Sequence, residues 1–169
     1  MSAAQERAFD PERLLRSLAD QEVRFVLIGG WAAKLQGSPT VTADVDICYA
    51  REAANLDRLA AALSEFEVRL RGIEDEVPFT LDARSLRAGE LFTLTSVVGD
   101  IDLIASPAGS GGFDALEANA DTLELGDLRI RVASLDDLIA MKRAAGRPKD
   151  LVEVEILEAL KQEVAERGV

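Results

Sequence analysis

The chain contains no histidine and a single cysteine, Cys48. The first absence removes Ser-His-Asp triads, imidazole general bases and His-ligated zinc. The second removes any intramolecular disulfide and any cysteine-rich metal site. A metal serving this chain must therefore be a hard cation held by oxygen, which means Mg²⁺, Mn²⁺ or Ca²⁺. Positive charge is also scarce: 19 Lys and Arg stand against 31 Asp and Glu, a formal net charge of −12. That balance excludes a nonspecific nucleic-acid coat but leaves room for a local basic groove. The opening MSAAQERAFDPERLL lacks an uninterrupted apolar stretch. It reads as neither a signal peptide nor a membrane span, so the expected compartment is the cytoplasm, with no membrane partner.

What is present is the composition of a globular protein, with 48% hydrophobic and 30% charged residues in 169. A chain of this length buries about two-thirds of its unfolded surface and folds without disulfide or structural metal. We expect one domain over residues 1–169, with a core at about 23–132 and C-terminal helices at about 134–166. Asp10 before Pro11 reads as an N-cap with proline at the first helical position. Residues 23–28 are strand formers that stop at Gly29-Gly30, and 31–36 suit a short helix closed by Gly37 and Pro39. Residues 41–49 return to strand. A helix is expected over 51–66, then short strands at 67–70, 78–81 and 91–95, and a further strand at 100–104. The segment 106–112, rich in Gly, Ser and Pro, reads as a mobile loop. A helix at 113–120 precedes a hairpin, 122–125 and 128–132, turning on Gly126-Asp127. Ser134 caps a helix running to Gly146, and Pro148 opens a last long one. The fold class is α/β (α+β): a central mixed sheet with helices around it.

Aspartate is poorly suited to strands, yet two strand-like runs each carry a pair at i, i+2: Asp44/Asp46 in ADVDI and Asp100/Asp102 in GDIDL. Period-two geometry puts each pair on one face, with Val45, Ile47, Ile101 and Leu103 toward the core. Like charges so placed repel, and a cation converts the repulsion into coordination. Three convergent carboxylates, with other positions left to water and phosphate, suit Mg²⁺. Either pair alone is ordinarily a solvated row on an open sheet face. The two together, with Gly29-Gly30 upstream, favour a metal site on Asp44, Asp46 and Asp102; Asp100, beside Gly99, is the weaker ligand. Glycines between a strand and a helix let a phosphate approach the backbone, so Gly29 and Gly30 are candidate nucleotide contacts. Lacking histidine, the site would use a carboxylate or metal-bound hydroxide as base.

These residues resemble a known signature. Val26-Leu27-Ile28-Gly29-Gly30 followed by Asp44-Val45-Asp46-Ile47 resembles the polymerase-β-like nucleotidyltransferase superfamily, and Ile101-Asp102-Leu103-Ile104 looks like its third-carboxylate strand. The tail over 138–151, with Lys142, Gly146, Arg147 and Asp150, is similar to the AbiEii-like branch, which includes nucleotidyltransferase toxins of type IV toxin–antitoxin systems. The matching stretches span about residues 23–157. The resemblance implies transfer of a nucleoside monophosphate from an NTP to an acceptor hydroxyl, with pyrophosphate released. The acceptor would be RNA, tRNA among the candidates, or a protein, and a cognate antitoxin is an implied partner. It further implies that Asp44 and Asp46 hold two metals, Mg²⁺ or Mn²⁺, and that Asp102 shares one and helps deprotonate the acceptor. Thr42 fits the usual threonine two positions before Asp44 and is a candidate nucleotide contact, whereas Thr40 stands where many relatives carry arginine. That departure bears on nucleotide grip and acceptor choice.

Among basic residues, Lys142 is a candidate phosphate contact through the tail resemblance; its plainer reading is a cation near a helix C-terminus, or a partner of Asp150. Lys34, after the glycines, is a candidate phosphate contact or an ordinary surface lysine. Arg69 and Arg71 alternate on a strand and are candidates for lining the cleft. Trp31 is a base-stacking candidate or a core aromatic, and Cys48 a small core residue. Two other functions fit the same carboxylates. One is a nucleotidyltransferase-fold protein that binds nucleotide or a partner without turnover. The other is a different Mg²⁺ phosphoryl enzyme, such as a nuclease.

Overall fold

The computed structural model describes residues 8–73 and 79–168. Helix α1 (Pro11–Asp20) leads to strand β1 (Phe25–Ile28), helix α2 (Gly29–Leu35) and strand β2 (Asp44–Tyr49). Helix α3 (Ala53–Leu63) ends in a 3₁₀ turn, Ser64–Phe66, before the two-residue strand β3 (Arg69–Leu70). Helix α4 (Ala83–Ala88), strands β4 (Leu91–Ser96) and β5 (Gly99–Ile104), and helix α5 (Phe113–Asn119) follow. Strands β6 (Asp121–Leu125) and β7 (Leu128–Val132) and helices α6 (Leu135–Ala145) and α7 (Pro148–Glu166) complete the order.

The sheet has seven strands in the order β3-β4-β5-β2-β1-β7-β6 and is mixed. Strand β2 runs parallel to β5 and antiparallel to β1, and β1 runs parallel to β7. Strand β1 is apolar on both faces, and all four of its residues are buried. Strand β5 alternates strictly, with Ile101 and Leu103 buried and Asp100, Asp102 and Ile104 half-buried. Leu14, Leu15 and Leu18 of α1 and Leu56, Leu59 and Leu63 of α3 are fully buried in the same core as the sheet. Among the described residues, no helix is long and apolar enough to cross a membrane.

The helix boundaries follow their caps. Asp10 accepts a hydrogen bond from the Arg13 backbone N–H at 3.2 Å, and Ser134 accepts one from Asp137 at 3.1 Å. Gly146 ends α6 at φ +66°, the left-handed conformation that glycine adopts at least cost. The hairpin of β6 and β7 turns on Gly126-Asp127 as its sequence indicates.

Several local expectations are corrected. The strand expected at 78–81 is not there: Pro78 lies outside the described residues, and 79–81 lead irregularly into α4. Asp82 makes that helix, accepting from the Ser85 N–H at 2.7 Å and the Ser85 hydroxyl at 2.8 Å. This is a side-chain cap that a search for apolar periodicity passes over. The helix expected over 51–66 starts two residues later and tightens into the 3₁₀ turn, and the strand at 67–70 keeps only Arg69–Leu70. Strand β2 begins at Asp44 rather than at residue 41, since Val41 is almost wholly exposed. The 106–112 loop is held rather than free. The Ser110 hydroxyl, buried, donates to the Pro107 carbonyl and accepts from the Gly112 N–H at 3.0 Å. A Cβ at Gly109 would lie 2.6 Å from the Ala140 carbonyl, so the loop packs directly on α6.

Candidate active site

The parallel pairing of β2 and β5 sets Asp44 beside Asp100 and Asp46 beside Asp102. The two i, i+2 pairs therefore meet on one sheet face as a square of four aspartates. Pairing of β5 with β4 extends the rows through Thr95 and Thr93, and Arg69 of β3 lies opposite Thr95. One row runs Arg69–Thr95–Asp100–Asp44, and the next carries Thr93–Asp102–Asp46. Three of the four carboxylates, Asp44, Asp46 and Asp102, bring one oxygen each within 4.8 Å of the others.

Asp46 is the most perturbed member. Its pKa is pushed up to about 8, first by burial and then by the neighbouring carboxylates Asp44 and Asp102; Lys142 pulls weakly the other way. Its Oδ1 is buried and finds no hydrogen-bond partner among the described residues. A buried carboxylate oxygen without a donor is costly, and a divalent cation would supply what it lacks. The residues present thus fit a hard metal ion.

Gly29 and Gly30 make room for this arrangement. Gly29 has φ +71°, and a Cβ there would lie 2.0 Å from Asp46 Oδ2. A Cβ at Gly30 would lie 2.8 Å from Thr42 Cβ. On the side where a Cβ would stand, the glycines are faced by Asp46 and Thr42, while Gly29 also lines the open cleft. Thr42 in turn donates its hydroxyl to Asp44 Oδ1 at 2.7 Å, which fixes the first carboxylate of β2. Thr40 is turned to Ser38, their hydroxyl oxygens 2.7 Å apart.

A cleft of about 390 Å³ opens beside Asp46 and Gly29. Its walls are apolar at Ile28, Leu91, Ile104, Pro107, Leu138 and Met141, and cationic at Lys142 and Arg147. Lys142 pairs with Glu153 at 2.5 Å and lies 3.6 Å from Asp150. Asp150 is completely buried, and its Oδ2 accepts from Arg147 Nε at 2.6 Å and from the Arg147 backbone N–H at 3.2 Å. The Arg147 hydrogen bond holds the Asp150 carboxyl below its ordinary value. The tail motif is therefore one ionic cluster at the cleft wall, with Asp150 as its buried pivot.

The other sequence candidates fall in different places. Lys34 is exposed, with its ammonium 4.6 Å from the centre of the Trp31 ring, and it does not line the cleft. Trp31 is half-buried against the core and also meets Phe9, ring centres 5.9 Å apart. Cys48 is a buried core residue whose thiol donates to the Ala105 carbonyl at 3.4 Å. Arg147 and the 106–108 loop were not singled out as site residues, yet both line the cleft. Their signal is tertiary: Arg147 joins α6 to α7, and the loop packs on α6 through Gly109.

A family model described as aminoglycoside-2''-adenylyltransferase matches residues 12–160. Comparison with curated proteins gives no match. Among solved structures, the chain is similar to ANT(2'')-Ia in complex with adenylyl-2''-tobramycin, at 14% identity over 94% of this chain and 97% of that one, TM-score 0.50. It is also similar to an inferred nucleotidyltransferase from Thermotoga maritima, at 18% identity over 96% of this chain and 99% of that one, TM-score 0.49. At 14% identity the likeness to ANT(2'')-Ia is one of fold.

Proposed function

Because the chain belongs to the aminoglycoside-2''-adenylyltransferase family, we propose that it moves a nucleoside monophosphate from an NTP, ATP first among them, to a hydroxyl of a small cationic acceptor of the aminoglycoside class. The observation that carries this reading is the unpartnered, buried Asp46 oxygen within the Asp44–Asp46–Asp102 triad at the mouth of an apolar and cationic cleft. Asp44, Asp46 and Asp102 would hold Mg²⁺ or Mn²⁺. Ions so bound would neutralise the phosphates and stabilise the attacking and leaving oxygens of an in-line displacement. Thr42 keeps Asp44 turned to the site, and Gly29 lets Asp46 lie against the backbone. The Asp102 oxygens are where the acceptor proton is taken up. Lys142 and Arg147 bind the triphosphate, Asp150 anchors both, and Leu91, Pro107 and Met141 take the base. Lys34 is left to its stacking on Trp31. The net charge of −12 favours a cationic acceptor over a polyanionic one.

A second reading keeps the chemistry and changes the acceptor to RNA or a protein hydroxyl, with an AbiEii-like toxin role and a cognate antitoxin. It rests on the tail resemblance, whose residues Lys142, Arg147 and Asp150 gather into one cluster that either acceptor could use. Incubation with each labelled NTP and Mg²⁺, offering aminoglycosides, total RNA and protein in separate reactions, tests both. Label on the aminoglycoside with release of pyrophosphate supports the first reading, and label on RNA or protein the second. Shortened RNA, or NTP binding with no labelled product, would overturn both.

Two further results are expected. With its pKa near 8, Asp46 is largely protonated at pH 7 in the metal-free protein, and a cation requires it ionised. Mg²⁺ binding at pH 7 should therefore release about one proton, and almost none above pH 9. Calorimetry in buffers of different ionisation enthalpy measures this; heats independent of buffer would contradict it. Second, Lys142→Met should raise KM for the NTP about tenfold, the value of one charge-assisted phosphate contact, with little change in KM for the acceptor. A rise confined to the acceptor KM would place Lys142 elsewhere.

A further inference from the structure

Asp100 stands beside Asp44 in the strand register, yet the three oxygens that converge belong to Asp44, Asp46 and Asp102. Arg71 reaches both carboxylates of the second pair. Its backbone N–H donates to the Thr93 carbonyl at 2.9 Å, which continues the β3–β4 pairing one residue past β3. That contact places Arg71 at the end of the Thr93–Asp102–Asp46 row. One terminal nitrogen of its guanidinium donates to the Leu94 carbonyl at 2.8 Å and to Asp102 Oδ1 at 2.9 Å. Its Nε lies 3.3 Å from Asp100 Oδ2, an ion-pair contact without hydrogen-bond geometry. A backbone anchor and two carboxylates thus share one planar cation, which a point-charge ammonium cannot span.

We propose that Arg71 sets the metal specificity of this site, an inference that rests on Asp44, Asp46 and Asp102 being the metal ligands. By engaging Asp100 and one oxygen of Asp102, it leaves a site of three carboxylates and fixes how Asp102 is turned. Such a site suits Mg²⁺, which is small, demands octahedral geometry and keeps water or phosphate on several positions. Ca²⁺ takes more oxygens at longer distance and tolerates irregular geometry, so a released Asp100 would serve it as a fourth carboxylate. Arg71 is a positioning residue: it touches the ligands and selects the ion through them.

The test is calorimetric titration of metal-free protein with Mg²⁺ alone and with Ca²⁺ alone. Arg71→Gln should weaken Mg²⁺ about tenfold, as loss of a partner supporting a ligand does, and raise the Ca²⁺-to-Mg²⁺ affinity ratio at least about tenfold. Adding Asp100→Asn to Arg71→Gln should reverse the rise in that ratio, while Asp100→Asn alone leaves Mg²⁺ affinity unchanged. Arg71→Lys, which keeps the charge and reaches one carboxylate, should fall between. An unchanged ratio in Arg71→Gln, with Mg²⁺ binding abolished by Asp44→Asn, overturns the role of Arg71 and leaves the metal site standing. Mg²⁺ binding that survives Asp44→Asn overturns the site, and the inference with it.

Discussion

Asp46→Asn is expected to abolish nucleotidyl transfer, by at least about 10³-fold in kcat, while making the metal-free protein more stable. The two effects have one cause. Burial beside Asp44 and Asp102 raises the Asp46 pKa from 3.8 to about 8, so the folded state binds this proton more tightly than the unfolded chain does. For a carboxyl shifted upward, stability is greatest below the unfolded pKa and declines as pH rises through 3.8 to about 8, then levels. At neutral pH the penalty is of order 2–4 kcal/mol, which asparagine removes by being neutral and nearly isosteric. Denaturant unfolding across that pH range should show wild-type protein losing stability in the absence of metal and the variant losing markedly less. The stability gained would coincide with function lost, as in sites that hold repelling charges ready for a cation. A variant that is both active and destabilised would contradict the assignment.

Gly29→Ala should cost about 1–2 kcal/mol of stability, because φ +71° is strained for any residue with a Cβ. Its larger effect is on the site. The new methyl would lie 2.0 Å from Asp46 Oδ2, and the soft response is for the carboxylate to swing away. A displacement of that size at a metal ligand is expected to lower transfer about 10²-fold and to weaken Mg²⁺ in parallel. Thermal unfolding with and without Mg²⁺ separates the two contributions: the wild type should gain stability from the ion and the variant should not. Full Mg²⁺ stabilisation in Gly29→Ala would mean that the glycine serves only the turn.

The sequence made the centre of this molecule readable because its signals are local and opposed to propensity. Aspartates at i, i+2 in β2 and β5 conflict with strand preference, and that conflict marked both pairs before any pairing was known. The strand register, which brings Asp46 beside Asp102, is a long-range fact; it could be expected from the pattern but not deduced from it. Gly29 and Gly30 were readable as positions that need space, but what fills the space was not. A phosphate and a neighbouring side chain make similar demands on a backbone, and the fold sets Asp46 and Thr42 on the Cβ side of the glycines while Gly29 also lines the cleft. Helix α4 was missed because its start is written in Asp82 and Ser85 rather than in an apolar stripe. Arg147 and Asp150 are legible in the sequence as part of the tail resemblance, but not as an ionic cluster at a cleft wall. Their place at the cleft arises from the antiparallel packing of α6 on α7, which no window of residues contains.

The tail resemblance and the family match place the same residues in different acceptor chemistries. In both proposed readings Lys142, Arg147 and Asp150 are assigned to the nucleotide, so their cluster supports transfer without fixing its destination. Under the proposed function, the acceptor would be decided instead by what can approach Asp102 and the exposed margin of the acidic face. There Arg71 tempers a surface that otherwise repels polyanions.

The central claim is that carboxylates from two separate strands share one divalent ion. Anomalous diffraction from crystals of this protein grown with Mn²⁺ tests it most directly. The account predicts a manganese peak within coordination distance of Asp44, Asp46 and Asp102, lost in crystals of Asp46→Asn. A peak elsewhere, or none at this triad while NTP transfer proceeds, would contradict it.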